Sequence, residues 1–315
     1  MSRTRRVFAE LGIALALAAL LIARAPAQQV RPEAESRPEN EAILADEEVI
    51  VRGRRLGELE FDLRTYIRDF IEEVAAPARS RGYARWQRRV CNLATTAAQY
   101  VVDRISSLAF DVGLEAGEPG CQPQVNIVFV TNARETASLL VERQPRAFRP
   151  AGGNAGMDLG LEALDEFTQS DKAVRWWHVS MPVDARTGAP AVRFPGHGPP
   201  VILKTGPSRL HNGIRDDLQY AIIVVDSTKL TGTTWQQLAD YLAVVSLAQI
   251  DPWTDPAAFD SILNLFGNPA AYSGLTDWDR SYLQALYAFN QERDARLQRS
   301  DIVSHIARRE LSSTE

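Results

Sequence analysis

The chain has 315 residues, 45% of them hydrophobic, enough apolar side chain for a proper core in one large domain or two small ones. Its net charge of −5 argues against a nucleic-acid surface, which needs clustered Lys and Arg to displace phosphate counterions.

At the N-terminus Arg3, Arg5 and Arg6 precede an apolar run from Leu11 to Ile22 and then Ala25-Pro26-Ala27. A positive start, a short apolar run and an A-x-A site make a secretory signal, cut after Ala27. The run falls short of the ~20 residues a spanning helix needs, an uncleaved anchor being the alternative. No cysteine follows the cut to carry a lipid. Leu238 to Ile250 is the most apolar later segment, and Asp240, Ser246 and Gln249 interrupt it. The expectation is a periplasmic protein with no transmembrane anchor after cleavage. In an oxidising compartment Cys91 and Cys121 are expected to bridge. Closing a loop of about 30 residues contributes roughly 3–4 kcal/mol in the chain-entropy model. A reactive thiol would lack both a CxxC motif and a nearby His.

Residues 28–46 are rich in Pro, Glu, Gln and Ala and read as a disordered tether, which extends to about residue 60. Within it Glu47-Glu48-Val49-Ile50-Val51-Arg52-Gly53-Arg54-Arg55 alternates apolar and polar residues over a strand's length. From Phe61 the spacing turns helical, with Leu63, Ile67, Phe70, Ile71 and Val74 on one face, ending near Pro77. A second helix is expected after Cys91, with Leu93, Ala97, Val101, Ile105, Leu108 and Val112 inward and a stop at Gly113. Val125–Val130 reads as a buried strand, Glu135–Arg143 as a short helix, Leu161–Phe167 as a turn of helix and Trp176–Met181 as a strand. Residues 184–216 form a Gly- and Pro-rich loop, with a hairpin around Val201–Lys204. Tyr220–Asp226 is the most strand-like segment, and Thr233 or Thr234 caps a helix running to about Gln249. That helix is apolar nearly all round, which predicts burial at the centre of the core. The loop Asp251-Pro252-Trp253-Thr254-Asp255-Pro256 stops it, and a further helix starts near Thr276. Residues 291–315 are a charged C-terminal tail and read as a loosely packed helix that frays. The fold class is α+β, a small mixed sheet flanked by helices.

Two resemblances emerge. The segment with Glu47, Val49, Ile50, Val51, Gly53 and Arg54 resembles the E-(I/V)-V-V-T-G-x-R segment found soon after the signal peptide in TonB-dependent outer-membrane receptors, with Arg52 at the usual Thr. It implies a strand that could add to a partner's sheet edge, in an accessory of TonB-linked uptake; an edge strand or ordinary linker is the alternative. Over roughly residues 218–288, a strand leads into a helix, an Asp/Pro loop, Asp260-Ser261-Ile262-Leu263-Asn264, then Leu275-Thr276-Asp277-Trp278-Asp279 opening a helix that ends Ala285-Leu286-Tyr287. This order is similar to the catalytic half of metzincin-type zinc peptidases and to a group of uncharacterised exported bacterial domains. It implies a zincin-like domain over 61–290.

In such peptidases the helix carries H-E-x-x-H-x-x-G-x-x-H, in which two His at i and i+4 grip Zn²⁺ and the Glu activates its water. On the same alignment the first ligand position is Asp240, the base Tyr241, the second ligand Val244, the glycine Leu247, the third ligand Ile250 and the turn methionine Leu263. An apolar Val and Ile cannot coordinate zinc, and Tyr241 cannot replace a carboxylate base at neutral pH. His178, His197, His211 and His305 are not paired at ligand spacing. The expectation is no metal, no cofactor and no catalytic residue: a non-catalytic binding or scaffolding module of the cell envelope, its partner an envelope protein or peptide. The alternative is a periplasmic hydrolase using carboxylates, with Asp240, Asp251, Asp255, Asp260, Asp277 and Asp279 clustered around the cleft, against the plainer reading of turn and capping residues. No G-x-S-x-G elbow and no phosphate-binding glycine pattern is present.

Overall fold

A computed structural model of the chain describes residues 40–77, 82–94, 98–117, 120–148, 161–191 and 213–312, of which 40–56 and 93–94 by backbone alone. The expected signal sequence, the tether up to residue 39 and the hairpin expected at Val201–Lys204 lie outside them. The chain divides into two units, Met1–Arg52 and Gly53–Glu315.

The second unit has a mixed α+β architecture. Its main sheet has four strands in the order β2 (Asn92–Ala94), β4 (Val125–Val130), β6 (Ile214–Asp226) and β5 (Val174–Asp184). The first three run parallel and β5 lies antiparallel at the edge. A separate parallel pair joins β1 (Arg89–Val90) to β3 (Glu115–Ala116). Strand side chains alternate between faces, so β5 sends Trp176 one way and Trp177 the other. On one face Trp176, Ala221, Ile223 and Val225 pack in a core with helices α2 (Gln99–Asp111), α5 (Trp235–Leu247), α6 (Asp277–Ala288) and α7 (Ala295–Ser312) and with Ile67, Phe70, Ile71 and Val74 at the end of α1 (Asn40–Val74). On the other, Trp177, Ile222 and Val224 meet α3 (Ala133–Arg143), α4 (Leu161–Gln169) and Phe148.

α5 follows β6 and is buried from Gln237 to Leu247, as its all-round apolarity predicts. Thr234 caps it: its hydroxyl accepts from the Gln237 N–H at 3.2 Å, and the Gln237 side chain accepts from the Thr234 N–H at 2.7 Å. The same box opens α6 between Thr276 and Asp279. Cys91 and Cys121 are bridged with their Cα atoms 6.2 Å apart, tying the turn between β1 and β2 to the approach to β4.

Three expectations are corrected. Glu47–Arg55, with Val49, Ile50, Val51, Gly53 and Arg54, lies inside helix α1 and is not a strand, and the tether therefore does not run on to residue 60 as irregular chain. Between Pro38 and Pro77 there is no proline, and Glu, Arg, Leu and Ala, good helix formers, outnumber the short β-branched run. The helix expected straight after Cys91 starts only at Gln99, because Asn92–Ala94 pairs with Val125–Ile127 in the sheet. The C-terminal tail is not frayed: α7 buries Ile302, Val303, Ile306 and Ala307 in the main core. Those four sit at i, i+1, i+4 and i+5, a stripe too narrow to stand out among so many charges.

Candidate functional site

The positions singled out by the metzincin-like order separate into closed ones and open ones. Val244 is 1% exposed and Leu247 and Ile250 are 0% exposed, all three packed into the main core. Asp240, 1% exposed, is held from two sides: the Arg104 guanidinium of α2 pairs with one carboxylate oxygen and the Leu275 N–H donates to the other at 2.8 Å. The chain can pass this carboxylate only without a side chain, since a Cβ on Gly274 would stand 2.6 Å from Asp240 Oδ2. Asp240 is thus a clamp between α2, α5 and the loop before α6.

Tyr241, one residue on, faces elsewhere. It is 5% exposed, its ring meets Phe266 edge-on at 5.0 Å, and among the described residues nothing bonds its hydroxyl. Burial pushes its pKa well above the ordinary tyrosine value, so the hydroxyl is neutral. Together with Leu263, at the methionine-turn position, Tyr241 lines a cavity of about 450 Å³. Trp176, Phe266 and Tyr272 complete its aromatic walls, and Lys172, Thr254 and Asp255 stand among its polar lining. Sequence elements fix each wall. Trp176 is locked by its indole N–H donating to Ile250 O at 2.9 Å. The Gln237 amide donates to Pro269 O at 2.8 Å and to Tyr272 O, holding the 269–272 loop against the start of α5. Asn264 donates to Pro256 O at 2.9 Å and Phe259 O at 2.8 Å, joining the two loops below. The Lys172 ammonium bonds Pro252 O and lies 3.2 Å from Glu166. Thr254 Oγ1 is buried with no hydrogen-bond partner among the described residues.

The carboxylate cluster expected around a cleft does not form. Of the six aspartates only Asp255 lines the cavity. Asp251 sits past the end of α5, capping the Trp253 N–H at 2.8 Å, while Asp240 looks toward α2; the helix between Asp240 and Leu247 alone spans about 10 Å. Burial raises the pKa of Asp251, and that of the almost wholly enclosed Asp279. Asp279 accepts from Ser261 Oγ at 2.6 Å, the Ile262 N–H at 2.8 Å and Thr276 Oγ1 at 2.7 Å, so it is the joint between the Ser261 turn and α6. Thr276 Oγ1, whose single hydrogen serves Asp279, also lies 2.9 Å from Asp260 O, and Asp277 is the exposed first residue of α6. These are capping roles.

His178 of β5 is 2% exposed, and its Nε2–H donates to Val245 O at 2.8 Å. Burial pushes its pKa down to about 4, so it is neutral at pH 7. His305 lies on α7, and His197 and His211 fall outside the described residues. Among the described residues no three His, Cys, Asp or Glu side chains gather where they could share a metal ion. Sequence reasoning reached Tyr241 and Leu263 but missed Lys172, Trp176, Thr254, Phe266 and Tyr272 as cavity residues. The doubled Trp176-Trp177 in one strand was the available signal, since alternation sends one of the pair to each face. No known protein family, curated protein or solved structure matches the chain.

Proposed function

We propose that the chain is an exported, zincin-like protein that carries out no peptidase chemistry and serves the cell envelope as a binding module, through the cavity beside Tyr241. The observation that carries this reading is the division of the aligned positions. Those for the base and the methionine turn, Tyr241 and Leu263, meet on one 450 Å³ cavity. Those for the three ligands are an ion-paired Asp240 and the enclosed, apolar Val244 and Ile250. The order of β6, α5, the Asp/Pro loop, the turn at Ile262–Asn264 and α6 over residues 218–288 supports the zincin-like part. A volume in the range of small-ligand sites, aromatic walls and few polar groups support the binding part.

Incubating the mature protein with a mixed peptide library, with and without a chelator, tests the reading. It predicts the same peptide profile as a no-protein control in both arms. Chelator-sensitive cleavage would sink it. N-terminal sequencing of the periplasmic fraction, with Gln28 as the expected first residue, tests export separately.

A further inference from the structure

The chemistry of the cavity narrows its ligand, provided that the cavity is the binding site as read above. Its walls offer four aromatic rings, Trp176, Tyr241, Phe266 and Tyr272. Tyr241 is 5% exposed, and its neutral hydroxyl has no partner among the described residues and is open to the cavity it lines. Thr254 Oγ1 on the same lining is buried without a partner among the described residues, so a ligand polar group entering here meets two hydroxyls with hydrogen-bonding capacity to spare. Charge then distinguishes one end of the ligand from the other. Asp255 lines the cavity, is exposed and makes no ion pair among the described residues. Glu73, whose carboxylate accepts the Asp255 N–H at 2.6 Å, and Asp251 add to the same sign. The one cation of the lining, Lys172, is already taken up by Pro252 O and Glu166. Beyond it Glu162 and Asp165 lie beside the exposed Trp253.

A ring-lined cavity with a carboxylate that makes no ion pair among the described residues, in an acidic surround, favours a cation, through both Coulomb attraction and the ring faces. An anion would meet Asp255 with nothing left over to neutralise it. We infer that the cavity beside Tyr241 binds an organic amine with an aromatic body, its ammonium at Asp255 and a hydrogen-bonding group at its far end on the Tyr241 hydroxyl.

Three probes of nearly one shape test this. Tyramine carries the ammonium, tyrosol a hydroxyl in its place and 4-hydroxyphenylacetate a carboxylate. Each is titrated into the mature protein, and amide and indole NMR shifts are followed at Trp176, Thr254 and Asp255. The expected result is saturable shifts there with tyramine, about tenfold tighter than with tyrosol and weaker still with the acid. Asp255→Asn, at an exposed position that leaves the fold intact, then brings tyramine down to the level of tyrosol. Tyr241→Phe weakens all three phenols severalfold, since it removes the hydroxyl assigned to their far end. Equal affinity for the three probes, or preference for the acid, would overturn the amine assignment while leaving the cavity as a binding site. No saturable shift at these residues with any probe would overturn both.

Discussion

Tyr241 and Asp240 are neighbours in sequence with opposite tasks, and substitutions separate them. Asp240→Ala strands a guanidinium at Arg104 and an N–H at Leu275. Breaking such a pair costs about 3 kcal/mol, near the low end of the range because Arg104 reaches solvent. Tyr241→Phe removes a hydroxyl that bonds nothing described and changes stability by less than about 0.5 kcal/mol. Urea denaturation of both variants checks the contrast; equal costs would mean that Tyr241 is also a structural clamp. His178 gives a pH signature. Its folded pKa of about 4 lies below the unfolded 6.5, so between these values the unfolded chain holds a proton that the native one does not. Stability must therefore fall as pH drops from 6.5 toward 4, by roughly 3 kcal/mol for this group alone. The raised Asp251 and Asp279 act in the opposite direction, losing their contribution as pH rises through their folded values. The difference between wild type and His178→Asn isolates the histidine: denaturant midpoints should converge as pH falls across that window, and a pH-independent gap would refute the assignment. None of these burials is written at the residue itself. Asp240 reads alike as a metal ligand, a catalytic acid or a clamp until Arg104, 136 positions away, is placed beside it.

At the scale of elements, legibility followed the strength of the periodic signal. β6, α5 and α6 stood out because long apolar runs lie between capping residues, Thr234 and Thr276. The N-terminal part of α1, read as a strand, and α7, read as a helix but a loosely packed one, are charged segments whose helical character or packing rests on propensity or on a thin apolar stripe. The strand β2 was hidden because three residues carry too little pattern, and its pairing is decided by β4. α7 supplies a direct test. Removing residues 295–315 would uncover the pocket filled by Ile302, Val303 and Ile306, each worth about 1.5–3 kcal/mol of burial. Against a typical total of about 5–15 kcal/mol, the truncated chain should lose most of its cooperative thermal transition. A midpoint unchanged by truncation would restore the frayed tail.

For the whole molecule, two apolar layers on either side of one mixed sheet were foreseeable from composition and from alternation in β5 and β6. The cavity was not, because its walls come from β5, α5, the Asp/Pro loop and the 262–272 loops, brought together only by tertiary hydrogen bonds such as Gln237 to Pro269. The central claim is that the positions to which the proposed metzincin-like order would assign zinc do not bind it. Elemental analysis of the mature protein, purified from the periplasm without a metal-affinity tag, tests it most directly. The account predicts no transition metal near stoichiometry. Zinc at about one per chain, the content of a mononuclear site, would contradict the alignment and make His178, His197 and His211 the first residues to substitute.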